Sequence, residues 1–84
     1  MSTFIAEINV MPRPELLDPQ GKAVEHGLSK LGLEQLSQVR IGKRITIKIE
    51  ASSKEAAAEL VDTACKKMLH NQVMEFYEFE VKEA

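Results

Sequence analysis

Apolar and polar residues alternate along three segments of this 84-residue chain, and no other feature constrains the fold as strongly. Successive side chains of a strand point to opposite faces, so the alternation predicts strands over residues 3–11, within 38–50 and over 73–82. Gly42 interrupts the middle segment. Two interpretations stay open there: one long strand with a bulge at Gly42, or two strands joined by a hairpin turn.

A helix start follows the first predicted strand. Asp18 can accept a hydrogen bond from the first helical turn, and Pro19 suits the first helical position because its missing N–H has no partner there. The helix is expected to run to Leu31 and to end at Gly32 as a left-handed cap. Apolar and small residues at helical spacing would form its buried stripe: Ala23, Val24, Gly27, Leu28 and Leu31.

A second helix start lies at Ser52, where Glu55 three residues later completes the pattern of a capping box. This helix is expected to run to about His70. The order of elements is then β-α-β-(β)-α-β in a single domain over residues 1–84. It predicts an α+β fold with a small, mainly antiparallel sheet of three to four strands and two helices packed on one face. The stripe expected to face the sheet is Ala57, Leu60, Val61, Ala64, Cys65, Met68 and Leu69.

The small size of the chain predicts association. A chain this short buries only about 60–65% of its unfolded surface, so small domains often need disulfides, a metal or a partner. Cys65 is the single cysteine and the two histidines have no recognisable ligand spacing, so neither a disulfide nor a metal site is expected. We therefore expect an obligate oligomer. Apolar residues on the supposed outer face of the sheet would form its contact: Ile5, Met11, Met74 and Phe76.

Several function classes are disfavoured by the sequence. No Ser, Cys or Lys stands in a recognisable set with a positioned His, so no catalytic residue is assigned. The net charge of −2 provides no basic field for nucleic acid. No apolar run is long enough for a membrane span and no signal peptide is visible, so a cytoplasmic protein is expected. Basic residues over 38–50 and acidic residues over 75–84 are expected to pair across strands if the fold makes these segments neighbours.

Three short motifs occur in order along the chain. They are LDPQGKAV over residues 17–24, VRIGK over 39–43 and MLHNQVME over 68–75, followed by Tyr77 in the last strand. Together they resemble the small S subunit of bacterial phosphoribosylformylglycinamidine synthase over essentially the whole chain. The segment MPRPE over 11–15 departs from the family pattern, where a lysine-containing loop is more usual.

The resemblance implies a non-catalytic subunit of a synthase of purine biosynthesis. Such a subunit would associate with itself and bridge a glutaminase subunit, which releases ammonia, and a large ligase subunit, which holds ATP and Mg. No cofactor is then expected in this chain. A small-molecule-binding regulatory domain of the same fold is the alternative. The motif residues that would contact partners are Asp18, Pro19, Gln20, Gly21, Arg40, Gly42, Lys43, Asn71 and Glu75.

Overall fold

The computed structural model describes residues 1–84 and contains one three-stranded sheet and two helices. Both neighbour pairs in the sheet are antiparallel, and its strand order is β2-β1-β3. The α+β class and the three-stranded antiparallel sheet are thereby confirmed. Neither helix is both long and apolar enough to cross a membrane. The elements are β1 (Ser2–Pro12), α1 (Pro19–Lys30), β2 (Lys43–Ala51), α2 (Lys54–Ala64, continued by a π-helical turn over Cys65–Leu69) and β3 (Glu75–Glu83).

Strand β1 is the centre of the sheet and supplies most of the core. Its N–H and C=O groups pair on both sides, with β2 and with β3, so it has no open edge. The face of β1 opposite the supposed outer face is buried, and α2 packs across it; it carries Phe4, Ala6, Ile8 and Val10. Burying this apolar face provides the main stabilisation available to so small a sheet. The core comprises Phe4, Ala6, Ile8, Val10, Ala51, Ala57, Val61, Cys65 and Val81.

The segment before β2 is not a strand, which makes both the bulge and the hairpin interpretations wrong. Strand β2 begins only at Lys43, and residues 38–42 lie outside the sheet. Their N–H groups are used elsewhere. The Val39 N–H donates to Glu25 Oε1 at 3.2 Å, and the Ile41 N–H donates to Asp18 Oδ2 at 2.7 Å. Side-chain carboxylates thus take the donors that a strand would give to its neighbour.

Gly42 has a packing role at the start of β2. A Cβ added at this position would overlap the Val10 carbonyl oxygen and the Met11 sulfur. The glycine therefore allows the incoming chain to pass against the end of β1. Residues 39–41 alternate between apolar and polar side chains because the chain is extended there, although it forms no hydrogen bonds to a neighbouring strand.

Helix α1 corrects the expectation that both helices cover the sheet. It ends at Lys30, one residue earlier than expected, and Gly32 has the left-handed φ of +83° expected of a cap. Gly21 is its single buried residue, whereas Val24 is 41% and Leu31 is 75% exposed. The predicted apolar stripe is present, but no strand of this chain covers it. Helical spacing shows that a face is apolar, yet it does not specify the surface that buries it.

Helix α2 begins one residue later than predicted. Ser53, and not Ser52, is the N-cap, and its Oγ accepts a hydrogen bond from the Ala56 N–H at 3.1 Å. Fewer residues of α2 face the sheet than predicted: Leu60 and Met68 belong to the predicted stripe but are 55% and 85% exposed. The fully buried residues repeat every four positions, and this single row is what meets the small sheet. It consists of Ala57, Val61 and Cys65.

The basic and acidic segments are not neighbouring strands, because β1 lies between β2 and β3, and the ion pair that joins them directly is Lys43 with Glu75 at 3.9 Å. Glu7 on β1 contacts one basic side chain from each neighbouring strand, Arg44 of β2 at 2.8 Å and Lys82 of β3 at 2.9 Å. Hydrogen bonds from Lys82 and then Arg44 lower the pKa of Glu7. A polar cluster therefore occupies the middle of the outer face.

Candidate functional site

Asp18 joins the first two motifs. Its Oδ1 accepts the Gly21 N–H at 3.1 Å, which caps α1, and its Oδ2 accepts the Ile41 N–H at 2.7 Å. The residue is buried, and the hydrogen bonds from Ile41 and then Gly21 hold the pKa of its carboxyl below the ordinary value. A helix cap alone would need only the first bond. The second bond fixes residues 39–41 against the start of α1.

Glycine at position 21 lowers the stability of α1, and the structure shows why glycine is nevertheless present there. A Cβ added there would overlap the Val39 carbonyl oxygen. Glycine is therefore needed so that the second motif can lie against the helix. Pro19 occupies the first helical turn as expected, and Gln20 is exposed beside it.

Arg13 links the second motif to the third, although the sequence analysis did not single it out. Its backbone oxygen accepts a hydrogen bond from Arg40 Nη2 at 2.6 Å. Its guanidinium donates through Nη2 and Nε to the Gln72 carbonyl at 2.7 and 3.1 Å, and its N–H donates to the Met74 carbonyl at 2.9 Å. A charged residue between two prolines, in a loop that departs from the usual pattern, was the signal that could have drawn attention to it.

Asn71 and Glu75 shape the turn that leads into β3. Asn71 Oδ1 accepts the Val73 N–H at 2.9 Å and the Met74 N–H at 3.3 Å. Glu75 Oε1 accepts the Asn71 N–H at 2.8 Å. The turn delays the start of β3 from the predicted residue 73 to Glu75. Lys43 lies 3.9 Å from the Glu75 carboxylate, which brings the second motif to the third.

The three motifs therefore meet at one end of the sheet, and we call the nine residues expected to contact partners the motif cluster. A cavity of about 280 Å³ lies between them and is lined by Asp18, Pro19, Ile41, Asn71 and Glu75, among others. The buried carboxylate and the turn hydrogen bonds hold the backbone internally. Gln20 and the Lys43 side chain, which is 56% exposed, face outward. Such an arrangement can present polar groups to another protein surface.

The four residues of the expected oligomer face are only partly brought together. Met11 and Phe76 are register partners on β1 and β3 and are half-buried. Met74 belongs to the turn before β3 and is 54% exposed. Ile5 lies about 20 Å along β1 from Met11, at roughly 3.4 Å per residue, and is paired in register with Lys48 and Lys82. The polar cluster around Glu7 lies between them on the outer face.

No group of three His, Cys, Asp or Glu side chains is placed to hold a metal ion. Cys65 is buried, and burial is the main cause that raises the pKa of its thiol, with the Asp62 charge adding to it. A thiol with a raised pKa is a poor nucleophile near neutral pH.

Comparison with known proteins identifies consistent relatives. The PurS family, described as phosphoribosylformylglycinamidine (FGAM) synthase, matches residues 5–83. The PurS subunit of this synthase from Synechocystis is 44% identical over 79 residues, which are 94% of this chain and 79% of the relative. The corresponding subunit from Bacillus subtilis is 39% identical over 80 residues, 95% and 94% of the two chains.

Solved structures resemble the whole fold. Thermus thermophilus PurS superposes with a TM-score of 0.86 at 35% identity and covers 98% of each chain. A chain in the structure of PurLQS from Thermotoga maritima superposes with a TM-score of 0.84 at 36% identity and covers 100% of both chains.

Proposed function

This chain belongs to the PurS family of phosphoribosylformylglycinamidine synthase subunits, and from that premise we propose that it bridges the glutaminase and ligase subunits of the synthase without catalysing a step itself. It is a subunit of that synthase in purine biosynthesis. The observation that carries the bridging proposal is the convergence of three distant motifs at one end of the molecule. A stable fold alone does not require an exposed glutamine and lysine at such a junction.

The motif cluster is the proposed contact with the large ligase subunit. Asp18 and Gly21 hold the second motif in place, so Arg40 and Lys43 are presented on a fixed backbone. Fixing the backbone before binding lowers the entropy that association must overcome. Gln20 is exposed at the same end and is available for a hydrogen bond to the partner.

Helix α1 is the proposed surface for self-association. Its apolar stripe lacks cover within the chain, and Leu33 and Leu36 extend it with exposures of 44% and 50%. Helix α1 does not pack on the sheet or on α2, and the molecule is elongated, at 52 × 26 × 14 Å. A second copy with the same stripe would cover both stripes at once, as a two-fold interface does. We therefore propose a dimer or larger oligomer of this chain.

Ammonia transfer supplies the reason for a bridging subunit. Ammonia is largely protonated in water near neutral pH and is then no longer a nucleophile, so the route between two active sites has to be enclosed. This chain is proposed to keep those sites in register, while ATP and Mg are held by the large subunit. A cytoplasmic location is proposed as well, and the unpaired Cys65 supports it because cytoplasmic thiols remain reduced.

Reconstitution tests the bridging role. The glutaminase and ligase subunits are assayed with and without this chain, once with glutamine and once with an ammonium salt as nitrogen source. Without the chain, glutamine-dependent synthesis should be lost while ammonium-dependent synthesis remains. Equal glutamine-dependent activity in both mixtures would refute the proposal.

Two matched pairs of variants test the contact surface. Gln20→Arg should weaken assembly, whereas Ser29→Arg adds the same charge to the far end of the same helix and should leave assembly unchanged. Lys43→Glu should weaken assembly more than Lys48→Glu, which reverses a charge elsewhere on β2. Assembly is measured by co-elution of the three subunits. Equal effects within either pair would count against the motif cluster as the contact.

A further inference from the structure

A second cleft, of about 310 Å³, lies at the end of α2 and is lined by Arg13, Lys66, His70, Gln72 and Tyr77. Three of these five side chains are or can become cationic, and none is acidic. We propose that this cleft binds the phosphate group of a small phosphorylated molecule. The proposal does not depend on the bridging function, because the cleft adjoins the motif cluster without including any of its nine residues.

The end of a helix would ordinarily repel an anion, because its last carbonyl oxygens point outward. Here two of them are already paired. The Cys65 carbonyl lies 2.7 Å from His70 Nδ1, and since a carbonyl only accepts, Nδ1 carries the hydrogen. The Lys66 carbonyl accepts a weaker bond from Gln72 Nε2 at 3.5 Å. Two donor side chains therefore offset part of the negative charge at this end of the helix.

Donor capacity remains on each cationic group. Arg13 donates hydrogen bonds from Nε and Nη2 to the Gln72 carbonyl, and these bonds orient its guanidinium. Its Nη1 has no hydrogen-bond partner in the chain. His70 has its Nδ1–H on the Cys65 carbonyl, so its Nε2 has no partner in the chain and donates a hydrogen bond when the ring is protonated. Lys66 directs one of its three ammonium hydrogens to Asp62 Oδ2, and its side chain is 62% exposed, so the other two hydrogens can face the cleft.

Two carboxylates lie near the cleft, and each already has cationic or hydrogen-bonding partners: Glu75 accepts the Asn71 N–H at 2.8 Å and lies 3.9 Å from Lys43, and Asp62 contacts two of the lining residues. Lys66 Nζ lies 3.0 Å from Asp62 Oδ2, and the Tyr77 hydroxyl donates to Asp62 Oδ1 at 2.5 Å. Arg13 therefore leaves an excess positive charge, to which His70 adds when protonated. Charge-assisted hydrogen bonds to phosphate are among the strong ones, and arginine suits that ligand because its donors form a fork.

The size of the cleft indicates more than a bare phosphate ion. The Tyr77 ring lies beside it and meets the His70 ring edge-on, with centroids 4.6 Å apart, which provides an apolar wall for a small organic body. Inorganic phosphate and a simple phosphate ester share the recognised chemistry. Titration with each separates recognition of the phosphate alone from recognition of the whole ester.

The test is a titration of the full, isotope-labelled chain with inorganic phosphate and with glycerol 3-phosphate, followed by amide chemical shifts at constant ionic strength. Sodium chloride is the control titrant. Saturable shifts centred on Arg13, Lys66 and His70, absent with chloride, are expected. Tighter binding of the ester supports a site for the whole molecule, and equal binding supports a site for phosphate only.

Two neighbouring lysines provide the matched variants. Lys66→Gln should weaken phosphate binding by about tenfold, whereas Lys67→Gln removes the same charge outside the cleft and should change it by less than about twofold. Circular dichroism checks that both variants are folded. The proposal is overturned if the shifts do not saturate, if chloride reproduces them, or if both variants weaken binding equally.

Discussion

Replacing Gly21 by alanine tests the central packing feature of the motif cluster. In an ordinary helix interior this change is stabilising, because alanine is favoured over glycine by about 1 kcal/mol. At Gly21 the added methyl group would overlap the Val39 carbonyl oxygen, which belongs to the backbone and cannot rotate away. Residues 39–41 would have to move, and their hydrogen bond to the helix start would lengthen.

The magnitude follows from these opposed effects. Overpacking of a tight site typically costs about 1–3 kcal/mol, which outweighs a propensity gain of at most about 1 kcal/mol at this first-turn position. The free energy of unfolding should therefore fall by about 1–2 kcal/mol in Gly21→Ala. For a domain of this length, 1 kcal/mol corresponds to roughly 4–8 °C in melting temperature.

Gly27 provides a control on the same helix. A Cβ added there would meet nothing within 4 Å, so Gly27→Ala should raise the stability by about 0.5–1 kcal/mol through propensity alone. Urea unfolding of both variants at one fixed protein concentration measures the difference, because oligomerisation makes stability depend on concentration. If Gly21→Ala were as stable as Gly27→Ala, the close approach of the second motif to the helix would be refuted.

Further outcomes concern pH and the core. Because the pKa of Asp18 is lowered by folding, its contribution to stability is present above the ordinary value of 3.8 and is lost as the pH falls through the pKa of the folded state. Asp18→Asn should therefore make the free energy of unfolding less dependent on pH at acidic pH. An unchanged pH dependence would contradict the buried hydrogen bonds of Asp18. The hydrogen bond to Asp62, together with burial, raises the pKa of Tyr77 to about 12, and Tyr77 is the single tyrosine of the chain. Its phenolate absorbance should therefore appear two pH units above the ordinary 10.0, and Asp62→Asn should shift this midpoint back down. The hydrogen bond between Tyr77 and Asp62 contributes stability that is present below pH 10 and is lost as the pH rises towards about 12. A midpoint at the ordinary 10.0 in the folded chain would refute this hydrogen bond. Val61→Ala should lower the free energy of unfolding by about 2 kcal/mol through the cavity it leaves. Val73→Ala, at a position that is 79% exposed, should change it by less than about 0.5 kcal/mol. Similar losses in both variants would show that α2 does not cover the sheet.

Local patterns predicted local structure well. The alternation over residues 3–11 identified β1 and its buried face, because side-chain direction in a strand follows directly from sequence parity. Asp18 and Gly32 marked the ends of α1 through backbone groups within a few residues. The capping box at Ser52 was misplaced by one position, because two adjacent serines offer almost the same signal and only the observed bond to Ala56 distinguishes them.

The candidate site was predictable as three motifs but not as one place. Its assembly depends on Arg13, on the Asp18 carboxylate and on the turn at Asn71, which bond to groups distant in sequence. A single sequence carries no record of which distant donor meets which acceptor. The alternation over residues 39–41 therefore suggested a strand, although carboxylates of the helix region had taken its N–H groups.

By itself, the sequence determined the elements, the buried face of β1, the α+β class and the membership of a family, because each depends on short-range pattern or on ordered motifs. Only the tertiary structure decided that β1 separates the basic and acidic strands, that α1 leaves its apolar stripe open, and that Gly21 admits the second motif. The physical reason is the same in each case. Propensity and periodicity act over a few residues, whereas close packing and the pairing of buried polar groups are satisfied between segments that meet only after the chain has folded.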